Sequence, residues 1–163
     1  MNGAHDLGGR HGFGPVDRSQ TEDFVHSWEE TVFGLTLTCG MLGQWNLDQS
    51  RFARESTDHV HYLSSTYYEH WLHGLELLLL QNGLITEQEL TSGAATVKPK
   101  LQAATPERVA EILKTGAPTS LPEQAANRFT LNQTVVVKSE SPRSHTRVPS
   151  YICLLYTSPS PRD

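Results

Sequence analysis

The chain has 163 residues, 37% of them apolar, and 13 basic against 18 acidic side chains for a net charge of −5, which fits one domain with appendages and argues against nucleic acid as the main partner. No apolar run approaches the roughly 18 residues of a membrane span and the N-terminus lacks the apolar core of a signal peptide, so no membrane partner is expected. Two distant cysteines, Cys39 and Cys153, suggest no disulfide framework, and a cytoplasmic location is the expectation.

Five glycines fall in the first fourteen positions. Such a segment loses too much backbone entropy on ordering to form regular structure alone. Two readings stand side by side: a disordered tail, or an extended arm over residues 1–20 laid along a surface by Leu7, Phe13 and Val16.

A helical domain is expected over residues 21–92. From Glu22 to Gly43, Val25, Trp28, Val32, Leu35, Cys39 and Leu42 step by alternating threes and fours and predict one sustained buried stripe. Phe33, Leu37 and Met41 form a second apolar flank, and Cys39 reads as a buried, inert thiol. Gly34 and Gly40 each cost roughly 1 kcal/mol relative to alanine in a helix, tolerable where two helices approach closely. Asp48 is expected to cap a short helix around Arg51, and Asp58 to Ser65 to bridge to the longest helix, Thr66 to Asn82.

That helix opens with a capping box, Thr66-Tyr67-Tyr68-Glu69, and stops at Gly83. Tyr67, Tyr68, Trp71, Leu72, Leu75, Leu78 and Leu79 share one face, with Glu69, His70, His73 and Glu76 opposite. Leu77 and Leu80 interrupt the polar face. A helix apolar most of the way round needs a second covering surface, and another polypeptide is the expected supplier.

Thr86-Glu87-Gln88-Glu89 is a second capping box, opening a short helix that ends before Gly93. Residues 93–127 read as linker with one short helix, started by Thr105-Pro106 and edged by Val109, Ile112 and Leu113 up to Gly116. Composition then switches to strand: Phe129 to Lys138, with a polar turn at Asn132-Gln133, begins a β-domain over 128–153. Two or three strands leave open edges, so the chain is expected to be truncated, with a tail over 154–163 foreign to the domain it follows. The fold class is therefore mainly α, an extended arm and a helical domain followed by an incomplete β segment.

No cysteine pair, glycine-rich phosphate loop or nucleophile with a nearby base is present. His70 and His73 share a helical face with Glu69 and Glu76, a spacing that helix-borne metal ligands use; a solvated polar face is the plainer reading, since no partner helix offers matching ligands. His59 and His61 straddle a bend. Arg51 and Arg147 each lie beside partly apolar sequence, where a guanidinium offers a rigid fork of donors to anionic oxygens; two ordinary surface arginines are the alternative.

The opening Asn2-Gly3-Ala4-His5-Asp6-Leu7-Gly8-Gly9, with Gly12-Phe13-Gly14-Pro15-Val16, resembles the start of nitrile hydratase β subunits. So do Trp28-Glu29, Ser50-Arg51-Phe52, Tyr67-Tyr68-Glu69 and Gly83-Leu84-Ile85-Thr86, in family order. His145-Thr146-Arg147-Val148-Pro149-Ser150-Tyr151 is similar to the segment that opens that family's C-terminal SH3-like barrel. The chain departs from the pattern at Ser144, where glycine is usual, and after Tyr151, where Cys153-Leu154-Leu155-Tyr156-Thr157-Ser158 replaces the basic, glycine-containing barrel sequence.

The resemblance implies an α-subunit partner in an αβ or α2β2 assembly. That partner's cysteine-rich loop would bind non-haem Fe(III) or Co(III), with two cysteines oxidised to sulfenate and sulfinate. It also implies that two β-subunit arginines, here Arg51 and Arg147, hydrogen-bond those oxygens, and that this chain binds neither the metal nor another cofactor itself. The activity implied is hydration of a small nitrile to its amide, with this chain inactive alone. Two relations stay open beside it: a nitrile hydratase activator or metallochaperone, which would not need the segment Phe129 to Tyr151, and a thiocyanate hydrolase subunit. An ordinary helical interaction module is the non-enzymatic alternative.

Overall fold

A computed structural model of the chain describes residues 3–7, 11–116 and 129–136. Among the described residues six helices follow in order: α1 Ser27–Gly40, α2 Leu47–Glu55, α3 His59–Ser64, α4 Tyr67–Gln81, α5 Glu87–Ser92 and α6 Pro106–Thr115. α4 is the central element, with α2 and α1 packed against it.

Local chemistry sets the ends of these helices. α1 starts at Ser27, later than the apolar stripe predicts, because Glu29 folds back and its Oε2 accepts from the Val25 and His26 amides at 2.6 and 3.2 Å. A carboxylate there satisfies free amides at the positive end of the helix, which explains how Glu29 is buried. α2 is capped by Asn46 rather than Asp48: Asn46 Oδ1 accepts from the Gln49 amide at 2.9 Å, and Gln49 Oε1 accepts from the Asn46 amide at 2.8 Å. Asp48 lies inside the first turn. The bridge read from Asp58 to Ser65 is instead α3, nucleated by Asp58, whose Oδ1 accepts from the Val60 and His61 amides.

α4 has the predicted bounds at both ends. Glu69 Oε2 accepts from the Thr66 amide at 2.6 Å. At the other end Gly83, at φ +60°, donates to the Leu80 carbonyl while Leu84 donates to the Leu79 carbonyl, each at 2.9 Å. That pair of bonds closes the helix and requires a left-handed residue between them. The Thr86–Glu89 box opens α5 as predicted, and Thr105 caps α6 with Pro106 in its first turn.

The core is small. Among the described residues only Val32, Trp45, Ala53, Leu75 and Leu78 are buried apolar side chains. Trp45, Ala53, Leu75 and Leu78 form one cluster, with Cys39, Leu77, Leu79 and Leu84 packed around it. The expected stripe on α1 is only partly its buried face: Val32 is buried and Cys39 packs against the core, while Val25 and Leu35 are half or more exposed and Glu29 and Thr36 are buried instead. Cys39 is half-buried with a free thiol, and burial raises its pKa. Gly34 and Gly40 meet nothing, so they do not mark a close approach.

The close approach is at Gly74. A Cβ there would fall 3.2 Å from the Arg54 backbone nitrogen and 3.4 Å from its Cα, so α2 lies directly on the α4 backbone. The anchors of the arm also differ from expectation. Phe13 and Val16 are exposed, while Gly3 is buried and His5 packs against α2 and α3.

No strand occurs among the described residues, and the fold they form is helical. Of the strand expected from Phe129 to Lys138, residues 129–136 form a turn in which the Gln133 amide donates to the Thr130 carbonyl and Asn132 takes φ +66°. Extended pairing needs a neighbouring strand, and none lies among these residues. The remaining expectations for the linker beyond Gly116, the barrel segment, Cys153 and the tail over 154–163 fall outside the described residues.

Candidate functional site

α2 is nine residues long and carries both Arg51 and Arg54. The Arg51 side chain is about one-third exposed, with Nη1 at 3.4 Å from Asp48 Oδ1. Asp48 is itself 66% exposed. A long ion pair with one partly exposed and one exposed member contributes little stability. Arg147 lies outside the described residues.

Arg54 is the residue that sequence reasoning missed. Its stem crosses Gly74, its Cζ stands 3.9 Å over the Trp71 ring, and Nη2 donates to Ser50 Oγ at 3.1 Å. Burial lowers the Arg54 pKa from its ordinary value, an effect that the neighbouring Tyr67 opposes. The available signal was the pairing of an arginine with a helical glycine and a tryptophan, which no local motif announces. Trp71 continues into an aromatic group with Phe33 at 5.7 Å, Tyr67 at 5.9 Å and Tyr68 at 6.0 Å between centroids.

A pocket of about 210 Å³ opens beside α2, lined by Thr36, Leu37, Trp45, Leu47, Arg54 and Trp71 among others. Its walls mix Leu37, Trp45, Leu47 and Trp71 with the polar Asn46, Ser50 and Arg54, and Thr36 Oγ1 is buried without a hydrogen-bond partner. A buried hydroxyl left unmatched is costly. Small apolar groups bearing one polar end suit such a space.

The histidines divide differently from the expected solvated face. His70 stacks on Tyr62 at 4.2 Å, and its pKa is lowered by burial first and by His61 second, with Glu69 opposing. His73 and His61 face each other at 5.4 Å. Among the described residues no group of three or more His, Cys, Asp or Glu side chains is placed to hold a metal ion. Nor does any helix among them have the length and apolarity to cross a membrane.

Residues 1–120 match the family model described as nitrile hydratase beta subunit, N-terminal. The chain is 40% identical over 154 residues to a nitrile hydratase subunit beta of Pseudomonas putida, covering 93% of this chain and 70% of that protein. It is 33% identical over 162 residues to a low-molecular weight cobalt-containing nitrile hydratase subunit beta of Rhodococcus rhodochrous, covering 93% and 72%. A cobalt-containing nitrile hydratase subunit beta of Pseudonocardia thermophila is 28% identical, covering 93% and 70%. By the extent of the family match and the identity to these relatives, the chain belongs to the nitrile hydratase β subunit family, and it is a subunit of a nitrile-hydrating lyase.

Proposed function

We propose that this chain works as one half of a shared site, completing a metal centre that the α subunit holds. Family membership supports the α partner, and the cobalt named in two relatives supports a metal in the assembled enzyme. The ion, Fe(III) or Co(III), is assigned to the α subunit, as the resemblance to the family implies. When bound there it supplies Lewis-acid chemistry toward the nitrile.

The contribution of this chain is Arg51, joined by Arg147 from the segment that resembles the opening of an SH3-like barrel. Oxidised cysteine ligands carry anionic oxygens, and a planar guanidinium presents paired donors that fit them. Groups that hold the ligands of a metal fix their orientation and tune the ion. The observation that carries this reading is the placement of Arg51. It is carried by a short helix seated directly on α4, and its ion pair with the exposed Asp48 is long and weak. The pocket beside α2 is the space this chain offers to the organic part of a nitrile.

The paucity of buried apolar residues supports a heteromeric role. Trp28, Leu35, Leu47, Val60, Leu63 and Tyr67 are all exposed on helices or their ends, apolar side chains that a partner could cover. The test is Arg51→Lys in the assembled enzyme. Lysine keeps the charge and loses the fork, so turnover falls at least about tenfold while assembly with the α subunit is unchanged. Wild-type turnover in that variant removes Arg51 from the reaction.

A further inference from the structure

Between the end of the N-terminal arm, the start of α1 and the start of α4 lies a groove of about 1050 Å³. Phe24 fixes the chain along it, its ring standing 5.8 Å from Phe33 of α1 and 5.2 Å from Tyr68 of α4. Trp28 and Tyr67 complete the aromatic lining, and Tyr67 is 65% exposed. The volume lies at the upper end of small-molecule pockets, roughly 300–1,000 Å³, and suits a short stretch of polypeptide.

The charges around this groove have one sign. Asp17, Glu22, Asp23, Glu29 and Glu69 line it, and among the described residues no lysine or arginine does, Arg18 beside Asp17 included. Asp17, Glu29 and Glu69 accept from backbone amides, and these bonds hold the Asp17 and Glu69 carboxyls below their usual range. The Glu22 and Asp23 carboxylates are exposed and make no hydrogen bond or ion pair among the described residues. Their field reaches the groove floor: the Tyr68 pKa is raised by loss of hydration first, then by Tyr67, Glu29 and Asp23. Negative charge beside aromatic faces is the complement of a guanidinium or ammonium group, which gains from the carboxylates and the rings together. A second copy of this chain, with its net charge of −5, is a poorer match.

We propose that this groove receives an arginine- or lysine-bearing segment of the α subunit. The inference rests on the α partner assigned above, and it adds where that partner is gripped and by what chemistry.

The test mixes the chain with its separately purified α subunit. Glu22→Lys with Asp23→Lys reverses the two free charges at exposed positions before α1. It lowers the association rate constant at least about tenfold at low salt and abolishes the salt dependence shown by wild type. Glu87→Lys with Glu111→Lys makes the same change of charge at exposed positions outside the groove and associates as wild type does. A photoreactive benzophenone amino acid in place of Trp28 captures an α-subunit segment containing arginine or lysine. Neutralising that basic residue slows association as the double reversal does, and combining the two adds no further loss.

Wild-type association in Glu22→Lys with Asp23→Lys overturns the proposal, as does equal slowing in the control pair. Capture of a second copy of this chain, or of an α segment without a basic side chain, overturns it too. Arg51→Lys in the assembled enzyme separates the two levels. If turnover falls there while the groove variant associates normally, only the groove assignment fails. If wild-type subunits do not associate at all, the α partner fails and the groove assignment with it.

Discussion

Replacing Gly74 by alanine tests whether α2 is held by direct contact with the α4 backbone. In an exposed helix the substitution stabilises by about 1 kcal/mol, because alanine loses less backbone freedom on folding. Here the new Cβ would lie 2.6 Å from Arg54 Cγ, 3.2 Å from the Arg54 nitrogen and 3.4 Å from its Cα. The Cγ can rotate away only by leaving its place over Trp71, and the backbone atoms yield only if α2 moves as a body. Overpacking costs about 1–3 kcal/mol and loss of a partly buried cation–π contact about 0.5–1 kcal/mol, for a net destabilisation of about 0.5–3 kcal/mol once the alanine gain is subtracted. That lowers the melting temperature by roughly 1–12 °C for a chain of this size. Thermal denaturation of Gly74→Ala beside Gly34→Ala is the assay, since a Cβ at Gly34 meets nothing. Gly34→Ala melts at or above wild type. If Gly74→Ala does the same, α2 and α4 are not in contact as described.

Other consequences are as direct. Glu89 accepts from the Thr96, Val97 and Thr86 amides, and these bonds lower its pKa from 4.5 to about 2. A depressed carboxylate pKa gives stability that is complete above the unfolded value and lost as pH falls from 4.5 toward about 2. Amide exchange across residues 86–97 therefore rises over that window in wild type, and Glu89→Gln, already elevated at neutral pH, changes little across it. Gly83→Ala places a Cβ at φ +60° and costs about 1 kcal/mol, read as a lower denaturation midpoint with unaltered slope. Co-expression with the α subunit yields a stable complex in which Trp28, Leu35 and Tyr67 lose solvent exposure; a monodisperse monomer that ignores the α chain contradicts this.

What the sequence disclosed was the chemistry of ends. Thr66, Glu69, Gly83, Thr86, Glu89 and Thr105-Pro106 mark helix boundaries because caps depend on residues three or four apart, and those are visible in one dimension. Burial depends on neighbours distant in the chain. Val25, Trp28, Val32, Leu35 and Cys39 form a regular stripe, yet of these only Val32 is buried, and Glu29 and Thr36 join it, Glu29 being tied to the amides before the helix. Asn46 displaced Asp48 as the α2 cap because Gln49 completes a reciprocal pair with it. The Gly74–Arg54–Trp71 contact spans α2 and α4 and had no local signature. Arg51 and the family motifs were readable, whereas the arm contact at His5 emerged only when Glu55 and Tyr62 were placed beside it.

The central claim is that Arg51 serves a centre housed in another subunit. An experimental structure of this chain bound to its α subunit tests it most directly, through the distance from the Arg51 guanidinium to the oxygens of the oxidised cysteines. A hydrogen-bonding separation of about 2.7–3.2 Å is predicted. An Arg51 side chain left in solvent, remote from any such oxygen, would contradict it.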